Sequence, residues 1–437
     1  MKLACLFILA SVFATNAATL YCSPAGGGSG ADFNNLATLP NTTGFTRGNI
    51  YIIVDGSYGS KTLSTVASGT STITIKKASA ADSGVAGYAT TLHDGVATFG
   101  TITVATQYWI VDGMTRTESF TWTAPTGYGF SASSIFASSG DSHDADNSQF
   151  RYIDIGSAYD ENPSAAVITN YSECIYLVYN QTDITFTRCA IHNYKGTGLQ
   201  GAGSDNLTFE YCDIGPGWGK EALRGGNGSI SSGWIIRYNR FYQSSQTDPN
   251  DPTSGITAEI GIWSWTGTAT GHAIYGNVFY NNKTGGRNAV IAVGGDNSGW
   301  PGDGADGTVC YNNTFAGMPE DGAFGMIDLN GASTIVRNTL FWDTLGVGIG
   351  ATTTSDNDDA VSDPFVSYST KDFRLSGPTG PGFTLSTPYN TDPSGNTRGT
   401  DGTWDVGAYE FVDGTGNPPA SSAPVARGFR GMRVPAR

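Results

Sequence analysis

The chain has 437 residues, of which 60 are glycine and 14% are charged, and its formal net charge is −15. The abundance of Gly, Ser, Thr and Asn disfavours a helical protein, whereas Val, Ile, Phe and Tyr favour strands. The negative charge argues against nucleic acid as a partner, because a protein that contacts phosphates needs a basic surface.

The first 18 residues predict a secretory signal peptide. Lys2 precedes the apolar run Leu3–Val12, and small residues follow at Ala14, Ala17 and Ala18, as a signal-peptidase site requires. The apolar run is shorter than the ~20 residues of a membrane-spanning helix, and no later segment reaches that length. We therefore expect an exported protein without a transmembrane segment, located outside the cell or at the cell surface.

A degenerate six-residue unit recurs along the middle of the chain. Its copies are Phe150–Ile155, Phe186–Ile191, Phe209–Ile214, Ile236–Phe241, Ile274–Phe279, Cys310–Phe315 and Ile335–Leu340. The fourth positions of successive copies are 36, 23, 27, 38, 36 and 25 residues apart. Three spacings approximate one coil of a solenoid, and the three longer ones correspond to a coil with an added surface loop.

The fourth position of this unit predicts how the coils stack. It is occupied in chain order by Ile153, Cys189, Cys212, Asn239, Asn277, Asn313 and Asn338. If each coil places the same turn above its predecessor, the asparagines form a ladder of amide hydrogen bonds. Asparagine also tolerates the left-handed conformation of such turns. The repeat therefore predicts an all-β chain, a right-handed parallel β-helix with capped ends, over residues 19–411.

A second strand in each coil precedes most copies of the unit. Alternation along a strand is expected to direct one set of its side chains inward, namely Leu199, Leu223, Ile260 and Ile262, and another set outward, namely Gln200, Arg224, Glu259, Gly261 and Trp263. We expect a groove for a ligand on this outward flank.

Both ends of the mature chain resemble bacterial and phage proteins of the pectin-lyase-like superfamily. Tyr21–Gly30 and Arg47–Tyr58 carry this resemblance at the start, and Asp363–Phe365, Lys371–Leu375 and Trp404–Glu410 carry it near the end. The resemblance implies a solenoid of the pectate-lyase type, opened by a cap and completed by a closing segment. It does not imply an activity, because this fold carries lyases, hydrolases, epimerases and non-catalytic proteins.

The last residues and the cysteines add two expectations. Residues 412–437 are rich in Gly, Pro, Ala and Ser and contain four arginines, which predicts a disordered basic tail. Five cysteines remain after the signal peptide, an odd number that does not form a disulfide framework. Buried free thiols and a single disulfide both remain open.

Tryptophans and carboxylates occur together in two long insertions, residues 243–271 and 294–307. Aromatic rings stack on sugar rings, so Trp263, Trp265 and Trp300 are candidate residues for binding a polysaccharide. The alternative is that these side chains only anchor the loops on the coils.

Three carboxylates on a glycine-rich loop are candidate ligands for Ca²⁺. Asp296, Asp303 and Asp306 are closely spaced, and carboxylate oxygens are the ligands that this ion takes. The spacing does not match an EF-hand loop, so a solvated acidic loop is the alternative.

Four charged residues on neighbouring coils are candidates for catalysis. Lyases that cleave uronic-acid chains need a base for the proton at C5 and a partner for the sugar carboxylate. Lys220, Arg224, Glu259 and Arg287 are predicted to share one outward patch, with Lys220 or Arg224 as the base and Arg287 holding the carboxylate. The alternative for each is a solvated surface charge.

Part of this patch resembles the alginate and chondroitin lyases of the same superfamily. In those enzymes a Glu-containing strand runs into a catalytic Lys, and an Arg follows one coil later. Glu259–Ile262 and Arg287 match this order, but Trp263–Trp265 stands in place of the lysine, which argues against a lyase of that kind.

The sequence thus favours an extracellular protein that binds a polysaccharide and degrades an acidic glycan by a lyase-like reaction. A glycoside hydrolase, which requires paired carboxylates, is the second choice among enzymes. A non-catalytic surface or adhesion protein is the alternative from another class. The oligomeric state is not predicted.

Overall fold

The computed structural model describes residues 17–412, except 122–123, 139–143, 158, 160–172, 179, 195, 218–220, 227–229, 244–257, 264–269, 282–288, 295–304, 319–324 and 345–346. Most of the predicted signal peptide and of the predicted basic tail therefore lies outside the described residues. Within them the chain forms 33 strands and three short 3₁₀ helices, Ala80–Asp82, Thr90–Leu92 and Tyr368–Thr370.

In the first of three long parallel sheets, Thr19–Ser23 lies between Ala37–Thr38 and Ile50–Ile53, and from Ile50–Ile53 onward the neighbours in the sheet are successive coils of the chain. Its thirteen strands are Thr19–Ser23, Ala37–Thr38, Ile50–Ile53, Ile73–Lys77, Trp109–Asp112, Gln149–Arg151, Thr185–Thr187, Thr208–Glu210, Ile235–Arg237, Ala273–Tyr275, Val309–Tyr311, Ile335–Arg337 and Thr353–Ser355.

The second and third sheets begin as a single sheet. The long strands of this common sheet are Gly56–Leu63, Ala97–Val104 and Phe130–Ser138. The first half of Phe130–Ser138 pairs with Ile153–Gly156 and the second half with Glu173–Val178, so two sheets continue from it.

The two sheets then proceed coil by coil with parallel pairing. The second sheet continues with Ile153–Gly156, Ala190–His192, Asp213–Ile214, Arg240–Gln243, Val278–Asn281, Thr314–Ala316, Leu340–Trp342 and Asp358–Ala360. The third sheet continues with Glu173–Val178, Thr197–Gly201, Glu221–Gly225, Ala258–Trp263, Ile291–Gly294, Ile327–Leu329 and Ile349–Gly350.

This arrangement confirms the predicted fold class, a parallel β-helix of the pectate-lyase type. After this division each coil contributes one strand to each sheet, and the core lies inside the three sheets. One antiparallel pair, Phe365–Ser367 with Asp372–Leu375, follows the last coil. In the part of the chain that the structure describes, no helix is long and apolar enough to span a membrane.

A single left-handed residue turns each coil from the first sheet to the second. The positions with positive φ at this corner are Tyr152, Arg188, Tyr211, Tyr238, Gly276, Asn312 and Asn338. The next residue on each coil points its side chain into the stack. For a non-glycine residue the left-handed conformation is unfavourable in isolation, so hydrogen bonds between coils must hold it.

The predicted amide ladder forms at three of the four asparagines. The backbone N–H and Nδ2 of Asn239 donate to Oδ1 of Asn277 over 2.9 and 3.0 Å. The same two donors of Asn277 bind Oδ1 of Asn313, both over 3.1 Å. Oδ1 of Asn239 in turn accepts the backbone N–H of Cys212 at 2.8 Å. All three asparagines are buried.

The prediction that Asn338 continues this ladder is wrong by one residue. The strands pair Cys310 with Val336, so Asn338 lies at the left-handed corner position and Thr339 takes the place in the stack. The backbone N–H of Thr339 then bonds Oδ1 of Asn357 at 2.9 Å. Two adjacent apolar residues, Ile335 and Val336, make both registers compatible with the hydrophobic pattern.

Rings of the same kind stack along the core. Phe241, Phe279, Phe315 and Phe341 form a column with centroid distances of 4.7, 4.9 and 5.2 Å. Each such contact contributes about 0.5–1.5 kcal/mol beyond the burial of apolar surface. In the last coil, exposed Asp359 follows Phe341 in register, so a polar residue ends this column.

The cysteines of the described chain are free and buried. Burial raises the pKa of Cys174 to about 12, which disfavours the thiolate. The thiols therefore pack as small apolar groups, the first of the two alternatives that the sequence left open.

The closing segment packs on the outer face of the second sheet. Tyr242 and Tyr280 of that sheet share an apolar cluster with Phe365, Phe373 and Tyr409. The centroids of Tyr280 and Phe373 are 4.8 Å apart. The segment therefore covers a side of the solenoid and protects apolar residues that point away from the core.

A buried network of charged groups stabilises this closing segment. Nη1 of Arg398 lies 3.6 Å from Oε2 of Glu410, and neither side chain exceeds 1% exposure. Burial raises the pKa of Glu410 to about 7 and also raises those of Asp392 and Asp405. Asp405 accepts the backbone N–H groups of Thr379 and Phe411, so the network connects the segment internally.

We predict that Asn277→Ala lowers the free energy of unfolding by roughly 2–4 kcal/mol, because it leaves buried backbone groups of Ile236 and Asn239 without hydrogen bonds. Urea denaturation followed by circular dichroism measures this loss. The control is Asn34→Ala, at an exposed amide, which should change stability by less than about 0.5 kcal/mol. Equal effects of the two substitutions would show that the ladder does not support the fold.

We also predict that the protein becomes less stable between pH 5 and pH 7. The folded-state pKa of Glu410, about 7, lies above its ordinary value of 4.5 because the side chain is buried, so its contribution is complete below pH 4.5 and is lost as the pH rises through 7. Urea denaturation at several pH values measures the slope. Glu410→Gln should flatten it, while Asp401→Asn, at an exposed residue, should not. An unchanged slope in Glu410→Gln contradicts the assignment.

Candidate functional site

On the third sheet, the side chains that point into the core are the ones that the alternation predicted. Leu199, Leu223, Ile260 and Ile262 are completely buried in the core, which directs the intervening residues outward. The pairing register aligns one outward residue per coil, in the order Phe136, Tyr176, Gln200, Arg224, Gly261, Ala292 and Asp328. We call this line the outer row. Six steps of ~4.8 Å make it about 29 Å long.

The outer row changes character along its length. Phe136 and Tyr176 are half-buried and stack with centroids 5.2 Å apart and planes inclined by 6°. Gln200 and Arg224 follow and supply hydrogen-bond donors. Gly261 and Ala292 come next and are buried. The partly exposed members of the row are therefore Phe136, Tyr176, Arg224 and Asp328, while Gln200 is 6% exposed.

Two carboxylates lie beside Arg224. Its Nη1 is 3.9 Å from Oε2 of Glu221, and 22% of its side chain is exposed. Glu259 lies on the adjacent strand, diagonal to Arg224, because Arg224 pairs with Gly261. Glu221 and Glu259 are each 2% exposed. The structure therefore brings Arg224 and Glu259 together, with Glu221 as a neighbour that the sequence did not single out.

Several predicted site residues lie outside the described residues, namely Lys220, Arg287, Trp265, Trp300, Asp296 and Asp303. The backbone of Trp263 ends the strand Ala258–Trp263 and pairs with Gly294. The roles assigned to these residues from the sequence stay predictions.

Asp306, the described member of the candidate calcium set, has a role in a turn. Its Oδ1 accepts the backbone N–H of Ala332 at 2.7 Å. Asp205 and Asp146 on earlier coils make equivalent bonds to Ser232 and Thr182 over 2.7 and 2.6 Å. In the described part of the chain, no group of three or more His, Cys, Asp or Glu is arranged to hold a metal.

A second charged cluster carried no signal in the sequence. Arg116, Glu118, Arg188, Asp213 and Arg240 meet outside the corner between the first and second sheets. Arg116 and Glu118 come from a loop that precedes the repeats, and the other three come from separate coils. Only folding brings them together, so no local spacing could have revealed the cluster.

Comparison with known proteins finds no close relative. No family model matches the chain, and no curated protein matches its sequence. The pectate lyase Pel9A is 16% identical with a TM-score of 0.48, over 91% of this chain and 97% of that one. An alginate lyase from Paenibacillus sp. str. FPU-7 is 11% identical with a TM-score of 0.42, over 79% and 96%.

A structure of another kind also matches, at a lower TM-score. PfbA, a surface adhesin of Streptococcus pneumoniae, is 9% identical with a TM-score of 0.34, over 72% of this chain and 80% of that one. At such identities the likeness concerns the fold alone, and this fold carries enzymes and binding proteins alike. The chemistry of this parallel β-helix must therefore be argued from its own residues.

Proposed function

We propose that this protein is exported, that it binds an acidic polysaccharide along the outer row of the third sheet, and that it cleaves this polysaccharide by β-elimination. The observation that carries the proposal is the outer row itself. A partly exposed arginine, a largely buried amide and a half-buried stacked aromatic pair follow one another on adjacent strands of a sheet.

Arg224 is proposed to bind a sugar carboxylate. Its guanidinium presents several N–H donors in a plane, which suits a bidentate contact with a carboxylate. Glu221 and Glu259 beside it favour an arginine over a neutral residue at this position and restrict its side chain. Gln200, one strand away, adds an amide that can bond a sugar hydroxyl.

Phe136 and Tyr176 are proposed to hold a neighbouring sugar ring. Aromatic side chains offer a large apolar face at a low cost in conformational entropy, and the C–H groups of a sugar pack against such a face. Because the pair lies one and two strands beyond Gln200, a chain that follows the row would meet the rings and Arg224 together.

The proposed reaction needs a base as well as a partner for the carboxylate. In β-elimination the base takes the proton from C5, the C4–O bond breaks, its electron pair leaves with the oxygen, and a C4–C5 double bond forms. Arginine is effectively always protonated in proteins. Arg224 therefore suits the neutralisation of the carboxylate, which Arg287 would share, and Lys220, just before the strand Glu221–Gly225, is proposed as the base.

Calcium is a subordinate part of the proposal. Asp296 and Asp303 would supply the carboxylates, since Asp306 already bonds the backbone of the next coil. The proposed tryptophans, Trp263, Trp265 and Trp300, would extend the aromatic surface beyond the row.

A non-catalytic adhesion or surface protein is the second candidate function. Trp263–Trp265 favours it, because these residues stand where related lyases carry the catalytic lysine. Binding on the outer row is common to both candidates, whereas release of unsaturated products belongs to the first alone.

We predict that Arg224→Ala weakens binding to polygalacturonate or alginate roughly 10- to 100-fold, the effect of losing a charge-assisted hydrogen bond of about 1.5–3 kcal/mol. Isothermal titration calorimetry measures the affinity, and thermal unfolding should change little because the side chain is partly exposed. Arg151→Ala, at another surface arginine, is the matched control and should bind normally. Parallel losses of affinity and stability in Arg224→Ala would make this residue structural.

We further predict that the protein releases products with a new ultraviolet absorbance from a uronic-acid polysaccharide, and none from a neutral one. Lys220→Ala should abolish the release while polysaccharide binding persists, because the base acts only on the reacting proton. New reducing ends without the absorbance would indicate hydrolysis. Binding without any product, across a panel of acidic and neutral polysaccharides, would establish the adhesion function.

A further inference from the structure

The last coil of the solenoid leaves one edge of each of its strands open. These strands are Ile349–Gly350, Thr353–Ser355 and Asp358–Ala360. Each pairs with one strand of the preceding coil, and no described strand pairs with its other edge. The backbone N–H groups of Thr353 and Asp358 bond the preceding coil at 2.9 Å. Because N–H directions alternate along a strand, those of Thr354 and Asp359 face the open end.

The core is also uncovered at this end. The inward positions of the preceding coil are at most 1% exposed and are occupied by Ile327, Val336 and Phe341. At the same positions of the last coil, Ile349 is half-buried, and Thr354 and Asp359 are exposed. Within the described chain, therefore, nothing covers the inward positions of the last coil.

A cavity of about 280 Å³ lies at this open end and has a mixed lining. Phe341, Val347 and Ile349 line it with apolar groups, and Val347 is 40% exposed. Asp356 and Asp359, which are both exposed, line it with carboxylates. A segment that fits this cavity must combine apolar side chains with cationic ones.

Residues 413–437, the part of the predicted basic tail that lies outside the described residues, have this composition. They contain one acidic residue, Asp413, and four arginines, Arg427, Arg430, Arg433 and Arg437. Phe429, Met432 and Val434 lie among the arginines. Such a segment complements an acidic and apolar cavity in both respects. A second copy joined end to end by a twofold axis would instead bring the same carboxylates together, which is unfavourable.

The described chain ends beside the last coil. Asp405 accepts the backbone N–H groups of Phe411 and Thr379, both at 2.8 Å. The residue after Thr379, Gly380, donates its own N–H to Oδ2 of Asp358 in the last coil at 3.3 Å. An extended stretch of about 15 residues can span roughly 50 Å, so the tail can reach the open end of its own molecule.

We propose that residues 425–434 dock on the open end of the last coil of their own chain and form a terminal cap. Phe429 and Met432 occupy the cavity, and the arginines around them pair with Asp356 and Asp359. Uncovered strand edges are prone to pair with other chains, and solenoids protect their ends with atypical terminal segments. The composition of the tail predicts disorder in isolation, so the tail becomes ordered only on docking.

The test is amide hydrogen exchange of the full-length protein, read by mass spectrometry over residues 353–360. Exchange in the native protein should be at least about tenfold slower than in the tail variant Phe429→Ser/Arg430→Gln/Arg433→Gln, because the docked segment covers the open edge. Asp356→Asn/Asp359→Asn, which removes two carboxylates from the cavity, should accelerate exchange to a similar degree.

Two matched controls should exchange like the native protein. Asn417→Ala lies in the tail before the docking segment, and Asp94→Asn lies at an exposed residue of an early coil. A synthetic peptide of residues 423–437, added to the tail variant, should restore slow exchange. Circular dichroism verifies the fold, and the tail variant, which changes no described residue, carries the test if Asp356→Asn/Asp359→Asn does not fold.

Three results would overturn the proposal. Exchange over residues 353–360 as fast in the native protein as in the tail variant would show that the tail does not cover the open end. Slow exchange that persists in a folded Asp356→Asn/Asp359→Asn variant would remove the charge pairing on which the choice of occupant rests. Slow exchange that is lost on dilution, with a dimer detected by light scattering, would assign the open end to a second copy.

Discussion

Hydrogen bonding between successive coils at one corner is the constraint on which the structure depends. The corner residue adopts a left-handed conformation that most side chains disfavour, and the next residue must satisfy buried backbone groups of the coils on either side. Asn239, Asn277 and Asn313, each the residue after the corner, bond those backbone groups with a single amide each. Once this corner is aligned, the parallel register of all three sheets follows, because each coil has the same start.

Because the pairing register is fixed, the third sheet spaces its outward side chains regularly. Outward residues on successive coils are spaced by the distance between strands, whatever the length of the loops between them. Arg224 and Glu259 therefore lie close together even though 35 positions separate them in the chain. The same rule aligns Tyr176 and Gln200 and makes the outer row continuous. A linear polymer is the kind of ligand that such an array can follow.

Arginines and carboxylates are paired differently in different parts of the molecule. On the third sheet, Arg224 lies beside two carboxylates and remains partly exposed, so it can exchange partners with a ligand. In the cluster of Arg116, Glu118, Arg188, Asp213 and Arg240, each carboxylate lies against two guanidinium groups. In the closing segment three carboxylates, Glu410, Asp392 and Asp405, act on a single arginine, Arg398.

The sequence by itself determined the fold class, the coil repeat and which face of the third-sheet strands is buried. These properties depend on local alternation and on a repeated turn, both of which are visible in the order of residues. It misplaced Asn338, because Ile335 and Val336 satisfy two registers equally well until the neighbouring strand selects one. Only the tertiary structure decided that the closing segment covers the second sheet, that Asp306 holds a turn, and that Arg116 and Arg240 share a pocket. Those contacts join residues far apart in the chain, and their partners are chosen by packing, which no local pattern records.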